Sequence, residues 1–130
     1  MALAVRAFDE VPGRPRQTLP ALQVASRSVT AGALIRQRVD LELARRAAEA
    51  PAPRVRDAHP DEVALHPGRG VPRPHVPDRD AAHRAALAAF TAGRIILLVD
   101  DRQVDGAETR IGLTETTEVT FLQLVPLVGG

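Results

Sequence analysis

The first apolar positions along the chain alternate. In "ALAVRAF", Ala2 to Phe8, Arg6 interrupts an otherwise apolar run on one side, the period of a half-buried strand. Pro12-Gly13 in "VPGRPR" then marks a turn. "TLPALQVA", Thr18 to Ala25, predicts a second strand, with Pro20 near its start or on an edge because proline gives no N–H to a ladder. The two strands form a hairpin with a long tip. In "SVTAGALIRQRVDLELARRAAEA" the period changes: Ala31, Ile35, Val39, Leu43 and Ala47 recur every four residues with Leu34 beside them, while Arg36, Asp40 and Arg45 lie elsewhere. That spacing predicts an amphipathic helix. Thr30 or Ser28 supplies its N-cap, Gly32 in its first turn weakens it only slightly, and Pro51 ends it.

Between Pro51 and Pro77 lie seven of the chain's eleven prolines. This stretch, 51–77, reads as a Pro-rich insertion, too long for an ordinary connection within one domain, with "DEVAL" as a short helical turn or strand inside it. "DRDAAHRAALAAF", Asp78 to Phe90, predicts a short second helix with Asp78 or Asp80 at its start and Gly93 as its stop. "RIILLVD", Arg94 to Asp100, is continuously apolar and branched, the pattern of a well-buried strand. "DDRQVDGAET" is turn-like. "TTEVTFLQLV", Thr116 to Val125, is the last strand, and because both of its faces carry apolar residues it belongs at the centre of a sheet. Pro126 stops its pairing, so 126–130 is expected to project as a tail ending in Gly129-Gly130. The order is that of a single α+β domain over 1–130, with helices covering one face of a mixed sheet.

Composition narrows the function. The chain has 130 residues and a net charge of +1, which suits one domain with one modest core and supplies no basic stripe for phosphates. With no Trp or Tyr and three Phe (Phe8, Phe90, Phe121), there is no base-stacking platform, so nucleic acid is not an expected partner. The absence of Cys removes disulfides, thiolate metal sites and a Cys nucleophile. No apolar run approaches a membrane span and the start, with Arg6, Asp9 and Glu10, is not a secretory signal, so a cytoplasmic protein with no membrane partner is expected. His59, His66, His75 and His83 are too widely spaced for a zinc site, and no metal is expected. Asp100, Asp101 and Asp105 fit turn chemistry better than Mg²⁺ binding. "HPGRGVPRP" lacks the Lys and the strand–loop–helix context of a phosphate loop. "RPHVP" reads as a connector in preference to a polyproline ligand.

Two stretches carry a resemblance. "RIILLVDDRQVDG" is similar to the third strand and following turn of ubiquitin and of the bacterial sulfur carriers, although Asp100-Asp101 stands where those carriers often have Asn-Gly. "GLTETTEVTFLQLVPLVGG" is similar to the carriers' close, in which an acidic turn leads into an apolar strand, a proline and Gly-Gly. With the preceding hairpin and helix, the chain resembles the β-grasp superfamily of ubiquitin-like modifiers, the small subunit of molybdopterin synthase and the thiamine-pathway carrier. Residues 51–92 have no counterpart in the minimal fold.

The resemblance implies a β-grasp sheet packed on the long helix and a function in the last residues. A terminal carboxyl, with a pKa near about 3.5, is ionised at neutral pH and is a poor electrophile. A partner adenylating enzyme would spend ATP to activate the Gly130 carboxylate; this chain would bind no cofactor itself. Gly129 and Gly130 lack Cβ, so backbone can pass close to that partner. Pro126, Leu127 and Val128 would lie in its groove as an extended peptide. The leading expectation is a modifier, passed through a conjugating enzyme to amines of target proteins. The alternatives are a sulfur carrier with a terminal thiocarboxylate and a β-grasp module that binds without covalent chemistry. In each case the chain is not itself an enzyme. All seventeen basic residues are Arg. A modifier without Lys cannot build Lys-linked chains, although Arg-biased codon usage explains the composition equally well.

Overall fold

A computed structural model describes residues 2–49 and 78–128. The Pro-rich insertion at 51–77, with His59, His66 and His75, lies outside them, as do Gly129 and Gly130. The described chain runs β1 (Leu3–Glu10), β2 (Gln17–Thr18), β3 (Leu22–Val24), β4 (Ser28–Thr30), α1 (Ala31–Glu49), α2 (Arg79–Thr91), β5 (Ile95–Val99), β6 (Arg102–Val104), β7 (Arg110–Gly112) and β8 (Glu118–Gln123). The main sheet has the order β2-β1-β8-β5-β6, with β3 also on β1, and β4 pairs with β7 separately. β8 runs parallel to β1 and antiparallel to β5, so it is central, as its two apolar faces require. The architecture is α+β: a mixed sheet with a long helix packed on it and a second helix beside the first.

Strand alternation sets the core. Leu3, Val5 and Ala7 of β1, Val119 and Phe121 of β8, and Ile95 and Leu97 of β5 all face inward and are buried. They meet Ala31, Leu34, Ile35 and Val39 of α1. Ala82, Ala86 and Phe90 of α2 complete the cluster. Most of these side chains are fully removed from water, each contributing about 1.5–3 kcal/mol for a residue the size of Val, Leu or Phe. The apolar stripe of α1 stops short of its predicted length: Leu43 is half-buried and Ala47 exposed, because Arg38 and Glu42 take the inward positions toward the end of the helix.

The predicted second strand is broken in two. Phe8 pairs with Thr18 and Asp9 with Gln17, whereas Leu3 pairs with Val24 and Val5 with Leu22. The register therefore slips by one residue across Leu19-Pro20-Ala21, which is a bulge. Pro20 is the cause, since it offers no ladder N–H and a bulge leaves that position unpaired. The hairpin tip turns at Gly13, at φ +81°, with the Arg14 N–H bonded to the Val11 carbonyl at 3.0 Å.

Thr30 caps α1 as expected, its hydroxyl accepting the Ala33 N–H at 3.1 Å. The loop before β7 closes over the same helix end: the Thr109 carbonyl accepts the Ala31 N–H at 2.9 Å and the Ala107 carbonyl that of Gly32 at 2.8 Å. That approach is what Gly32 is for, because a Cβ there would sit 3.0 Å from the Ala107 oxygen. Asp78 caps α2, accepting the Ala81 N–H at 3.4 Å. Asp100 and Asp101 form the two-residue turn between β5 and β6, with φ of 49° and 67°, the left-handed pair a tight hairpin needs. The Asp100 carboxylate also accepts the Glu118 N–H at 2.9 Å, tying this turn to the start of β8.

Candidate functional site

The candidate site lies where β1, α1 and the end of β8 converge. After β8, the Leu124 N–H still bonds the Arg94 carbonyl at 2.9 Å, and its side chain is 51% exposed. Pro126 is exposed and cannot donate to a neighbour. The chain then turns back, and Leu127 and Val128 are only 5% and 3% exposed. Here the expectation of a projecting tail is corrected: as folded, Leu127 and Val128 pack on their own domain and do not offer alternating side chains to a partner's groove. The physical reason is their apolar surface, about 1.5–3 kcal/mol per side chain if left in water. Both side chains join the core cluster, and the Arg46 guanidinium of α1 donates to the Val128 carbonyl at 3.0 Å.

Beneath this contact runs a chain of charges. Asp9, the last inward residue of β1, follows Val5 and Ala7 on the core face and is buried. Arg38 meets it with two hydrogen bonds, Nε to Oδ1 at 3.0 Å and Nη2 to Oδ2 at 2.5 Å. The same Nη2 lies 3.4 Å from Glu42 Oε1. Glu42 in turn accepts from Arg45 and, at 3.2 Å, from Arg46 Nε. Arg45 reaches on to Glu49 at 3.0 Å. Burial pushes the Glu42 carboxyl up, but the hydrogen bonds from Arg45 and Arg46, with the charges of Arg45 and Arg38, outweigh it and hold the group below its ordinary range. No buried side-chain polar atom among the described residues lacks a partner.

These residues border a cleft of about 350 Å³, walled on the hairpin side by Val11, Gln17 and Leu19 and on the other by Pro126, Leu127 and Val128. Its lining mixes these charged side chains with apolar ones. Of the sequence-predicted site residues, the structure brings Pro126, Leu127 and Val128 to this one cleft; Gly129 and Gly130, the expected activation site, lie outside the described residues. Asp9, Arg38, Glu42 and Arg46 are not among the site residues that the sequence predicts. Two signals carry them: Arg38, Glu42 and Arg46 stand four apart on one helix face, and Asp9 continues the inward parity of Leu3, Val5 and Ala7.

A second polar clasp joins the helices. Asp40 of α1 accepts from Arg79 at 2.9 and 3.0 Å and lies 2.8 Å from His83 Nε2. The Arg79 hydrogen bonds hold the Asp40 carboxyl below its usual value against the opposing effect of burial, with His83 adding to them. His83 is thus spoken for by a helix–helix contact. Among the described residues, no cluster of three or more His, Asp or Glu is placed to hold a metal ion. No described helix is long and apolar enough to cross a membrane.

Compared with protein-family models, curated proteins and solved structures, the chain matches none.

Proposed function

We propose that this chain is a ubiquitin-like β-grasp protein that serves as a protein modifier through the acyl group of Gly130. The observation that carries the reading is the placement of β8. It lies parallel to β1 at the middle of the sheet, with α1 in the crossover, which is what a β-grasp requires, and it delivers the chain to Pro126, Leu127 and Val128 on the wall of the charged cleft, directly ahead of the glycine pair in sequence. A rigid central strand is a mount; residues without side chains beyond it are a handle. On this reading a partner adenylating enzyme lets a Gly130 carboxylate oxygen attack the α-phosphorus of ATP, with pyrophosphate leaving. A thiol of the partner or of a conjugating enzyme then displaces AMP to give a thioester. Finally a target amine displaces the thiol and an amide forms. This chain is the co-substrate, and the catalytic groups belong to its partners.

The burial of Leu127 and Val128 favours a second reading, a β-grasp module that binds its partner without covalent chemistry and keeps its end folded against α1. Intact mass after incubation with ATP and a candidate adenylating enzyme separates the readings. Adducts of target size support the modifier. A gain equal to the exchange of one oxygen for sulfur assigns sulfur carriage instead. An unchanged mass, together with full function of a variant lacking Gly130, leaves the non-covalent module.

A further inference from the structure

One wall of the cleft is the very stretch that would have to enter a partner. Leu127 and Val128 are buried, and the Val128 carbonyl takes a hydrogen bond from Arg46 at 3.0 Å. Arg46 is itself oriented by Glu42, whose carboxylate also receives Arg45 and lies against Arg38. Arg38 is fixed by its bidentate pair with Asp9. The Val128 carbonyl is therefore anchored through a continuous chain of ion pairs to β1. Beyond Val128 two residues span at most about 7 Å, too short for Gly130 to enter a deep nucleotide site while Leu127 and Val128 stay seated.

We propose that Arg46 and the apolar seat of Leu127 and Val128 form a latch that sets how often Gly130 is presented for activation. The inference rests on the reading of Gly130 as the activated group. In the latched state residues 127–128 lie on the domain; in the released state they extend, and only the released state is a substrate. The apparent affinity for an activating enzyme is then the intrinsic affinity scaled by the released fraction. Arg46 is a positioning residue and takes no part in the chemistry.

Arg46→Ala removes the donor to the Val128 carbonyl. Amide hydrogen exchange at Leu127 and Val128, followed by NMR, is expected to quicken about tenfold, equivalent to about 1.4 kcal/mol, the scale of one hydrogen bond from a charged donor at a partly exposed site. KM for the protein as substrate of the adenylating enzyme is expected to fall about tenfold with kcat unchanged. Arg46→Lys, which keeps a cationic donor, restores most of the protection. Arg45→Ala removes another Arg partner of Glu42, leaving Arg38 and Arg46 on it, without touching the Val128 carbonyl, and leaves exchange at Leu127 and Val128 near that of the parent. Unchanged exchange in Arg46→Ala overturns the latch, as does equal quickening in Arg45→Ala. Quickened exchange with an unaltered KM overturns its regulatory role. If no variant is adenylated and exchange still quickens in Arg46→Ala alone, the assignment of Gly130 as the activated group fails, while the contact itself is upheld.

Discussion

Replacing Asp9 by alanine strands the Arg38 guanidinium. Asp9 and Arg38 are 8% and 6% exposed, so both charges are largely shielded from bulk water. Arg38 would keep one contact, to Glu42 at 3.4 Å, in place of the two hydrogen bonds at 3.0 and 2.5 Å that it makes with Asp9. Removing one partner of a buried pair costs about 3–5 kcal/mol, because the other charge is left uncompensated. A domain of this size has about 5–15 kcal/mol in all, so Asp9→Ala removes a large share of its stability. The paired replacement Asp9→Leu with Arg38→Met removes both charges and fills the space with apolar atoms, and it is expected to recover most of that loss or exceed the parent. Urea denaturation reads both. With no Trp or Tyr in the chain, the signal is far-ultraviolet circular dichroism in preference to fluorescence. A cost below about 1 kcal/mol for Asp9→Ala, the range of an exposed pair, would refute the claim that this network is buried and structural.

Gly32→Ala raises helix propensity, yet it is expected to destabilise the fold, because its Cβ would meet the Ala107 carbonyl at 3.0 Å; a higher urea midpoint would contradict that contact. Asp101→Gly relieves a left-handed φ of 67° and is expected to raise stability by up to about 1 kcal/mol, read as an increase in Tm. Asp40 and Glu42 both have carboxyls held below their ordinary values in the folded state. Their contribution is therefore fully present above the unfolded carboxylate pKa, about 4, and is lost as pH falls through the lower folded values. Urea midpoints should drop on acidification below about pH 4. Asp40→Asn with Glu42→Gln should flatten that part of the profile, and an unaltered slope would count against both assignments.

Period and turn chemistry made the frame legible. β1, the inward face of the first half of α1, the Ala-rich α2 and the central position of β8 follow from spacing alone, because each is long enough for its period to repeat. β4, β6 and β7 have three residues each, too few to show any period. Their pairing depends on distant partners: Val29 meets Ile111 across the chain, and β6 exists because Asp100 and Asp101 reverse β5. The break at Leu19-Pro20-Ala21 was visible only as a proline near a strand start; the register slip needed the partner strand. The seating of Leu127 and Val128 was illegible for the same reason, since local sequence shows a proline and two glycines, whereas their burial depends on packing with distant core residues and on Arg46 of α1. In sequence, Glu42 and Arg46 have only the spacing of an ordinary surface pair on a helix. Only Asp9, brought beneath α1 by β1, turns their face inward.

Covalent fate in cells tests the central claim most directly. The protein, tagged at its N-terminus and expressed in its native host, is purified under denaturing conditions and its adducts are sequenced by mass spectrometry. Species larger than the free chain, joined through the Gly130 carbonyl to amines of other proteins and absent when Gly130 is deleted, are the predicted result. A tagged chain that carries no adduct at Gly130, with the deletion variant fully supporting function, would contradict the account.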